Sequence, residues 1–156
     1  MSVKKEKGIT LVALAITIIV LTILASVTLY VGTNIIKRAN LQNINTDMML
    51  IQAKTKTIKE QASFNKDNTL YKGTVVSEIS GNTNIDNLIE QGIIDDPSKY
   101  YLLTRVDLNE MGLSKINVGK GYAVNYETEE IIFVQGFEHD GNTYYKLSDL
   151  KNLKIE

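Results

Sequence analysis

The hydrophobic residues of this chain are concentrated near its N-terminal end. Residues 9–36 contain no charged side chain, and 20 of these 28 residues are apolar. About 20 apolar residues in an α-helix cross a hydrocarbon core about 30 Å thick. The pattern therefore predicts a membrane-spanning helix over residues 9–36, in which threonine hydroxyls bond to the carbonyl groups one turn back.

A second pattern follows directly, because apolar residues recur every three, four or seven positions from residue 41 to residue 62. This spacing places them on one face of a helix. The residues are Leu41, Ile44, Met48, Ile51, Ile58 and Ala62. No proline interrupts residues 9–63, so we expect one continuous helix from about Thr10 to Ser63, with an amphipathic neck at residues 37–63. The apolar face either packs beneath a globular head or forms a short dimeric coiled coil.

Shorter patterns over residues 64–156 predict a small α+β head. Turn residues and β-rich runs indicate strands at 70–76, 121–126, 130–135 and 143–147, with Gly136 ending the third. Short helices are expected at 85–91, from the cap Thr104 to Gly112, and after Ser148. Residues 80–84 and 95–97 are expected to be loops. Tyr122 and Tyr126, which alternate along one strand, are expected to pack against the long helix.

The N-terminal charges predict an orientation for the span. Residues 1–8 carry Lys4, Lys5 and Lys7 against Glu6, which favours a cytoplasmic N-terminus and a chain that is outside from about residue 37. Three interpretations compete. A cleaved secretory signal has an apolar core of only about 7–15 residues, which is shorter than the run here. A plain single-span anchor fits the length of the run. The third interpretation depends on the residues at the border between the charged and apolar segments.

At that border, Lys7-Gly8-Ile9-Thr10-Leu11-Val12 resembles the type IV prepilin signal of type IV pilins and type II secretion pseudopilins. The string GITLVALAITIIVLTILASVTL is similar to prepilin-type leaders of clostridia and their relatives. Two later segments, GYAVNYETEEIIFVQG and DGNTYYKLSDL, are similar to the C-terminal parts of clostridial pilin-like proteins. The resemblance implies that a prepilin peptidase removes the leader, residues 1–8, by cleaving between Gly8 and Ile9. It also implies N-methylation of Ile9 and a pilin-like fold, in which the long helix packs on a small antiparallel sheet.

One residue departs from the family pattern. The fifth residue after the cleavage site is usually Glu in the family, and here it is Ala13. The family carboxylate pairs with the amino terminus of a neighbouring subunit, since an isolated charge in an apolar filament core would be costly. Its replacement suits a minor or tip subunit, or a lineage with a different registration device.

The resemblance predicts a structural subunit of a pilus or pseudopilus and no enzyme. Its implied partners are the prepilin peptidase, other pilin or pseudopilin subunits, the membrane and, indirectly, an assembly ATPase. The subunit would lie first in the cytoplasmic membrane with its head outside, and then in a surface filament. The alternative is a single-span extracellular binding or adhesion module that does not polymerise.

The remaining residues give little sign of catalysis. The chain has no cysteine and one histidine, His139, and it lacks phosphate-binding, dinucleotide-binding, nucleophile-elbow and zinc-protease motifs. His139 with Glu138, Asp140 or Asp149 is a weak candidate for a metal site. Asp95-Asp96 and Asp140-Gly141-Asn142 could each supply oxygen ligands to calcium, but neither has the ligand spacing of a calcium loop. We therefore expect no metal and no cofactor.

Charge is unevenly distributed along the chain. The formal net charge of −1 combines +2 in residues 1–8, zero in 9–36, +3 in 37–63 and −6 in 64–156, where nine basic residues face fifteen acidic ones. An acidic head is unfavourable for direct nucleic-acid binding. Its tyrosines, including Tyr100, Tyr101, Tyr144 and Tyr145, are expected to be core residues or, if exposed, a surface for a partner or a carbohydrate.

Overall fold

The computed structural model describes residues 4–155, without the side chains of residues 4–10, 29–31 and 118. The chain divides into two units, Met1–Ala39 and Asn40–Ile155. The helices are α1 (Lys4–Asn65), α2 (Thr83–Glu90), α3 (Arg105–Glu110) and α4 (Leu147–Leu150), and short 3-10 turns occur at Asn68–Leu70, Val76–Glu78 and Val118–Lys120. The strands are β1 (Thr74–Val75), β2 (Tyr100–Leu103), β3 (Tyr122–Asn125), β4 (Ile131–His139) and β5 (Asn142–Lys146).

Helix α1 ends where the backbone turns into the left-handed region. Lys66 has φ of +55°, and the amide of Asp67 donates to the carbonyl of Ala62 across 2.9 Å. This bond closes the last turn in the manner of a Schellman motif. The polar run that follows Asn65 thus ends the helix close to Ser63, where the sequence places its end.

The five strands form an antiparallel sheet in sequence order, β1-β2-β3-β4-β5. Successive side chains of a strand point to opposite faces. In β3, Tyr122 and Val124 join the core cluster that includes α1, whereas Ala123 joins the cluster formed with α2. Both faces of the sheet are therefore covered, one by the second half of α1 and one by α2.

The apolar face of α1 supplies one side of this core. Leu41, Ile44, Met48 and Ile51 are buried in the cluster beside the sheet, and Ala62 is buried as well. The apolar periodicity of residues 41–62 is thus satisfied within one chain, and the coiled-coil interpretation is wrong. The predicted fold class is confirmed: a long N-terminal α-helix packs on a small antiparallel sheet in an α+β arrangement consistent with a pilin-like fold.

Several local predictions are also confirmed. Thr104 and Asp107 form the expected capping box at the start of α3. Gly92, with φ of +70°, follows α2 as its left-handed end. The hairpin of β3 and β4 forms around residues 126–130, and Tyr122 and Tyr126 both lie in the α1 side of the core.

Other local predictions are wrong. Strand β2 was not predicted, although it lies between β1 and β3, because YYLL does not alternate between polar and apolar residues. Gly136 does not end β4: with φ of +72° it lies within a register shift, and the strand continues to His139.

The remaining errors concern the bounds of elements. Helix α2 begins at Thr83, inside the predicted loop, because the side chain of Asn82 caps the amide of Ile85. The strand expected at 70–76 contracts to Thr74–Val75. Ser148 is not a cap, since α4 starts at Leu147 and its N-cap Lys146 makes no side-chain capping bond.

Candidate functional site

The most distinctive surface of the described chain is the apolar stretch of α1 in the first unit. Eleven large aliphatic side chains between Leu11 and Val27 are exposed, with exposed fractions from 47% at Val20 to 69% at Leu11. Burial of a Leu, Ile or Val side chain stabilises by about 2 kcal/mol. Leaving these side chains in water therefore costs on the order of 20 kcal/mol in free energy. Such a helix requires lipid or protein around it.

The same segment has the properties of a transmembrane helix. Within residues 4–155, one helix is long and apolar enough to cross a membrane, and it lies near the N-terminus. The hydroxyls of Thr17, Thr22 and Thr28 donate to carbonyls three or four residues back, at 2.7–2.8 Å. As expected, these polar groups are satisfied within the helix, so they add little cost to burial in lipid.

The residues of the expected processing signal lie at the beginning of α1. The backbone of Gly8 and Ile9 is helical, but the side chains of Lys4, Lys5, Lys7 and Ile9 lie outside the described residues. Ala13 is exposed on the apolar surface. Cleavage after Gly8 and methylation of Ile9 remain predictions.

In the second unit, α1 is attached to the β3–β4 turn by polar contacts as well as by the core. Gln52 Nε2 donates to the carbonyl of Glu129 at 3.0 Å. Lys59 Nζ donates to the carbonyl of Glu127 at 2.8 Å and lies 2.9 Å from Glu129 Oε1. These contacts hold the turn on α1, and no pattern in the sequence indicates them.

Three tyrosines form an aromatic cluster beside this turn. The rings of Tyr71 and Tyr126 stack with centroids 4.1 Å apart, and Tyr101 meets both edge-on. The Tyr126 hydroxyl accepts from the amide of Lys72 at 2.8 Å and donates to its carbonyl at 3.0 Å. Burial raises the pKa of Tyr126 to about 12. Tyr126 therefore stays protonated at neutral pH, and its bonds to Lys72 tie residues 71–72 to the sheet.

The candidate metal ligands are not brought together. His139 Nε2 lies 3.3 Å from Asp140 Oδ2. Among residues 4–155, however, no three His, Asp or Glu side chains are grouped so that they could hold a metal ion. The Asp96 carboxylate instead accepts from Ser98, and these hydrogen bonds lower its pKa. Asp95 and Asp96 thus belong to a turn.

Comparison with protein-family models, with curated proteins and with solved structures gives no match.

Proposed function

We propose that this chain is a prepilin-like structural subunit of a type IV pilus or a type II secretion-like pseudopilus. A prepilin peptidase would cleave it after Gly8 and methylate Ile9. The mature subunit would then assemble through its apolar helix. This proposal rests on the border motif of residues 7–12, and it is supported by the form of α1.

The structural observation that best supports the proposal is that two parts of one helix have different surroundings. Residues 11–28 of α1 expose apolar side chains around the helix, whereas Leu41, Ile44, Met48 and Ile51 are buried against the sheet. A simple membrane anchor needs only the first property. A filament subunit needs both, since its apolar segment is reburied among neighbours while its head remains fixed to the same helix.

The physical work of such a subunit is packing rather than catalysis. Leaving lipid exposes the apolar surface unless neighbouring helices cover it at once. Extraction from the membrane must therefore be coupled to assembly and driven by an ATP-consuming machine, as the family resemblance implies. Ala13 leaves the segment without the carboxylate that the family uses for register, which favours a minor or tip position.

Processing can be tested by intact-mass analysis of the chain co-produced with a prepilin peptidase in a bacterial membrane. The native chain should lose residues 1–8 and gain one methyl group on Ile9. Gly8→Ala should block the cut. Gly32→Ala is the matched control, since a Cβ at Gly32 meets nothing within 4 Å, and it should be processed normally. A native chain that retains residues 1–8 beside an active peptidase would sink the proposal.

Assembly needs a separate test. The chain has no cysteine, so single cysteines introduced at Ile19 or Leu24 report subunit contacts without background. Because a minor or tip subunit lies beside subunits of other kinds, each cysteine is paired with one introduced into the apolar helix of a companion subunit. We expect oxidative cross-links between the two in sheared surface filaments from cells that contain the assembly ATPase, and none in cells that lack it. Processed chains that never cross-link or leave the membrane would favour the anchored binding module.

A further inference from the structure

The C-terminal end of the head encloses a shallow cleft that the filament role leaves unused. Its volume is about 720 Å³ and it is open to solvent. It lies between β5 and the segment that follows α4. The lining residues are Asn142, Thr143, Tyr144, Asp149, Asn152 and Leu153.

The lining combines amide, hydroxyl and carboxylate groups with one aromatic ring. Within residues 4–155, the Asp149 carboxylate forms no hydrogen bond or ion pair. Asn142 Nδ2 reaches only the carbonyl of Asp140, at 3.4 Å. Asn152 Nδ2 donates to the carbonyl of Ser148 at 2.9 Å, which leaves its side-chain oxygen able to accept. Several hydrogen-bonding groups of the cleft are therefore unoccupied by the protein.

These groups stand on a fixed support. Leu147 and Leu150 are buried to at least 99% and anchor α4 in the core, and Tyr144 packs against the same cluster. Asn45 Nδ2 on α1 donates to the carbonyl of Leu150 at 3.1 Å. A site held on packed elements loses little conformational entropy when a ligand binds.

The chemistry of the lining selects one class of ligand. No Lys or Arg lines the cleft, so it lacks the cations that recognise phosphate or sulfate. A single carboxylate is too few for a metal ion. Neighbouring hydroxyl groups of a sugar can donate to a carboxylate and an amide oxygen and accept from an amide nitrogen, while an aromatic ring offers its apolar face to C–H groups. We propose that this cleft binds a neutral saccharide.

The binding test uses the full chain in lipid nanodiscs, prepared without glycolipid and without sugar-based detergent, since an alkyl maltoside would itself compete. A printed panel of neutral and acidic oligosaccharides is screened beside a panel of extended peptides. The neutral oligosaccharide with the strongest signal is then titrated calorimetrically. We expect saturable binding of neutral oligosaccharides in preference to acidic ones.

Two variants locate the site. Asp149→Asn and Asn142→Ala should each weaken binding about tenfold, the loss expected for one hydrogen bond to a charged or well-placed polar group. Asn87→Ala, on the exposed side of α2, is the control and should bind as the native chain does. Melting temperatures of all three should match the native value, because the altered side chains are exposed.

Three outcomes would overturn the proposal: no neutral oligosaccharide bound, binding unchanged in both cleft variants, or retention of peptides alone, which would indicate strand addition at the free edge of β5. The measurement uses unprocessed, unassembled chain. Failure to bind a saccharide therefore leaves the filament proposal untouched, and failure of processing leaves the saccharide result untouched.

Discussion

The hydroxyl of Tyr122 donates a hydrogen bond to Asp47 Oδ2 across 3.2 Å, joining the middle strand of the sheet to α1. Lys120 Nζ lies 4.0 Å from the same carboxylate oxygen. Burial, with the nearby Asp47 carboxylate as a second cause, raises the pKa of Tyr122. The phenol therefore stays protonated and remains a donor at neutral pH, so this bond is a permanent part of the helix–sheet contact.

Loss of this hydroxyl should weaken the second unit measurably. We expect Tyr122→Phe to lower the free energy of unfolding by about 1–2 kcal/mol, because the Asp47 carboxylate loses a partner in a partly desolvated site. Chemical denaturation of the full chain in micelles, followed by circular dichroism, measures the change. Tyr145→Phe is the control, since no hydrogen bond of its hydroxyl occurs within residues 4–155. Equal stabilities of the two variants would show that the Tyr122 bond contributes nothing.

Alkaline conditions should destabilise the head through Tyr126. Its pKa is raised to about 12 in the folded chain by burial, against about 10 in the unfolded chain. Between these values the unfolded state loses a proton that the folded state keeps, so stability falls as pH rises. The contribution is fully present below about pH 10 and is lost towards about pH 12.

The measurement is the melting temperature of the full chain as a function of pH, with tyrosinate absorbance recorded in parallel. The native chain should show a steep fall above about pH 10. Tyr126→Phe should be less stable at neutral pH, because its bonds to Lys72 are lost, but its alkaline slope should be shallower. An unchanged slope in Tyr126→Phe would contradict the assignment.

The register shift in β4 depends on a residue without a side chain. A Cβ at Gly136 would lie 2.4 Å from Thr143 Cγ2 and 2.7 Å from Tyr145 Cε1. Gly81 has a similar φ, +74° against +72°, but a Cβ there meets nothing within 4 Å. Both Gly→Ala variants carry the backbone strain, so we expect Gly136→Ala to cost about 1–3 kcal/mol more, the usual penalty of overpacking. Equal denaturant midpoints for Gly136→Ala and Gly81→Ala would mean that β5 shifts without cost to make room for the added methyl group.

Ala13 offers a test of subunit position that rests on the proposed function. In a filament whose other subunits carry the family Glu, Ala13→Glu should raise incorporation along the shaft, because the carboxylate could pair with a neighbour's amino terminus. Ala15→Glu, two residues later in the same uncharged run, is the control and should lower incorporation. Immunogold counts along sheared filaments give the answer. A distribution identical to that of the native chain would count against the idea that Ala13 confines the subunit.

Helical periodicity allowed prediction of the second half of α1, because its buried residues recur at helical spacing along one face. The buried positions Leu41 to Ala62 could be read from their spacing alone. Thr55 fills the seven-residue gap between Ile51 and Ile58 on this face, and it is fully buried there. The capping box of Thr104 and Asp107 was also predictable, since both partners lie within one turn.

The strands were less predictable, because the burial of their residues depends on contacts with segments that are distant in sequence. Strand β2 is apolar on both faces, as a strand covered by α1 on one side and α2 on the other must be, so the alternation that marks a strand is missing. Gly136 reads as a strand end in the sequence, yet the side chains of Thr143 and Tyr145 occupy the space above it. The cleft that Asn142 and Asp149 line could not be recognised, because a strand residue and a helix residue come together in one cleft only when β5 and α4 are packed.

The polar contacts of Gln52 and Lys59 with the β3–β4 turn have a mechanical consequence for a subunit under tension. In a chain without cysteine, no disulfide cross-links α1 to the sheet. The three contacts at 2.8–3.0 Å all join α1 to the one β3–β4 turn, so a force that separates α1 from this turn acts on all three. Because each contact is non-covalent, the contacts between α1 and the β3–β4 turn can break under a sudden load and re-form when the load is released. No oxidant is needed to restore them, as it would be for a disulfide.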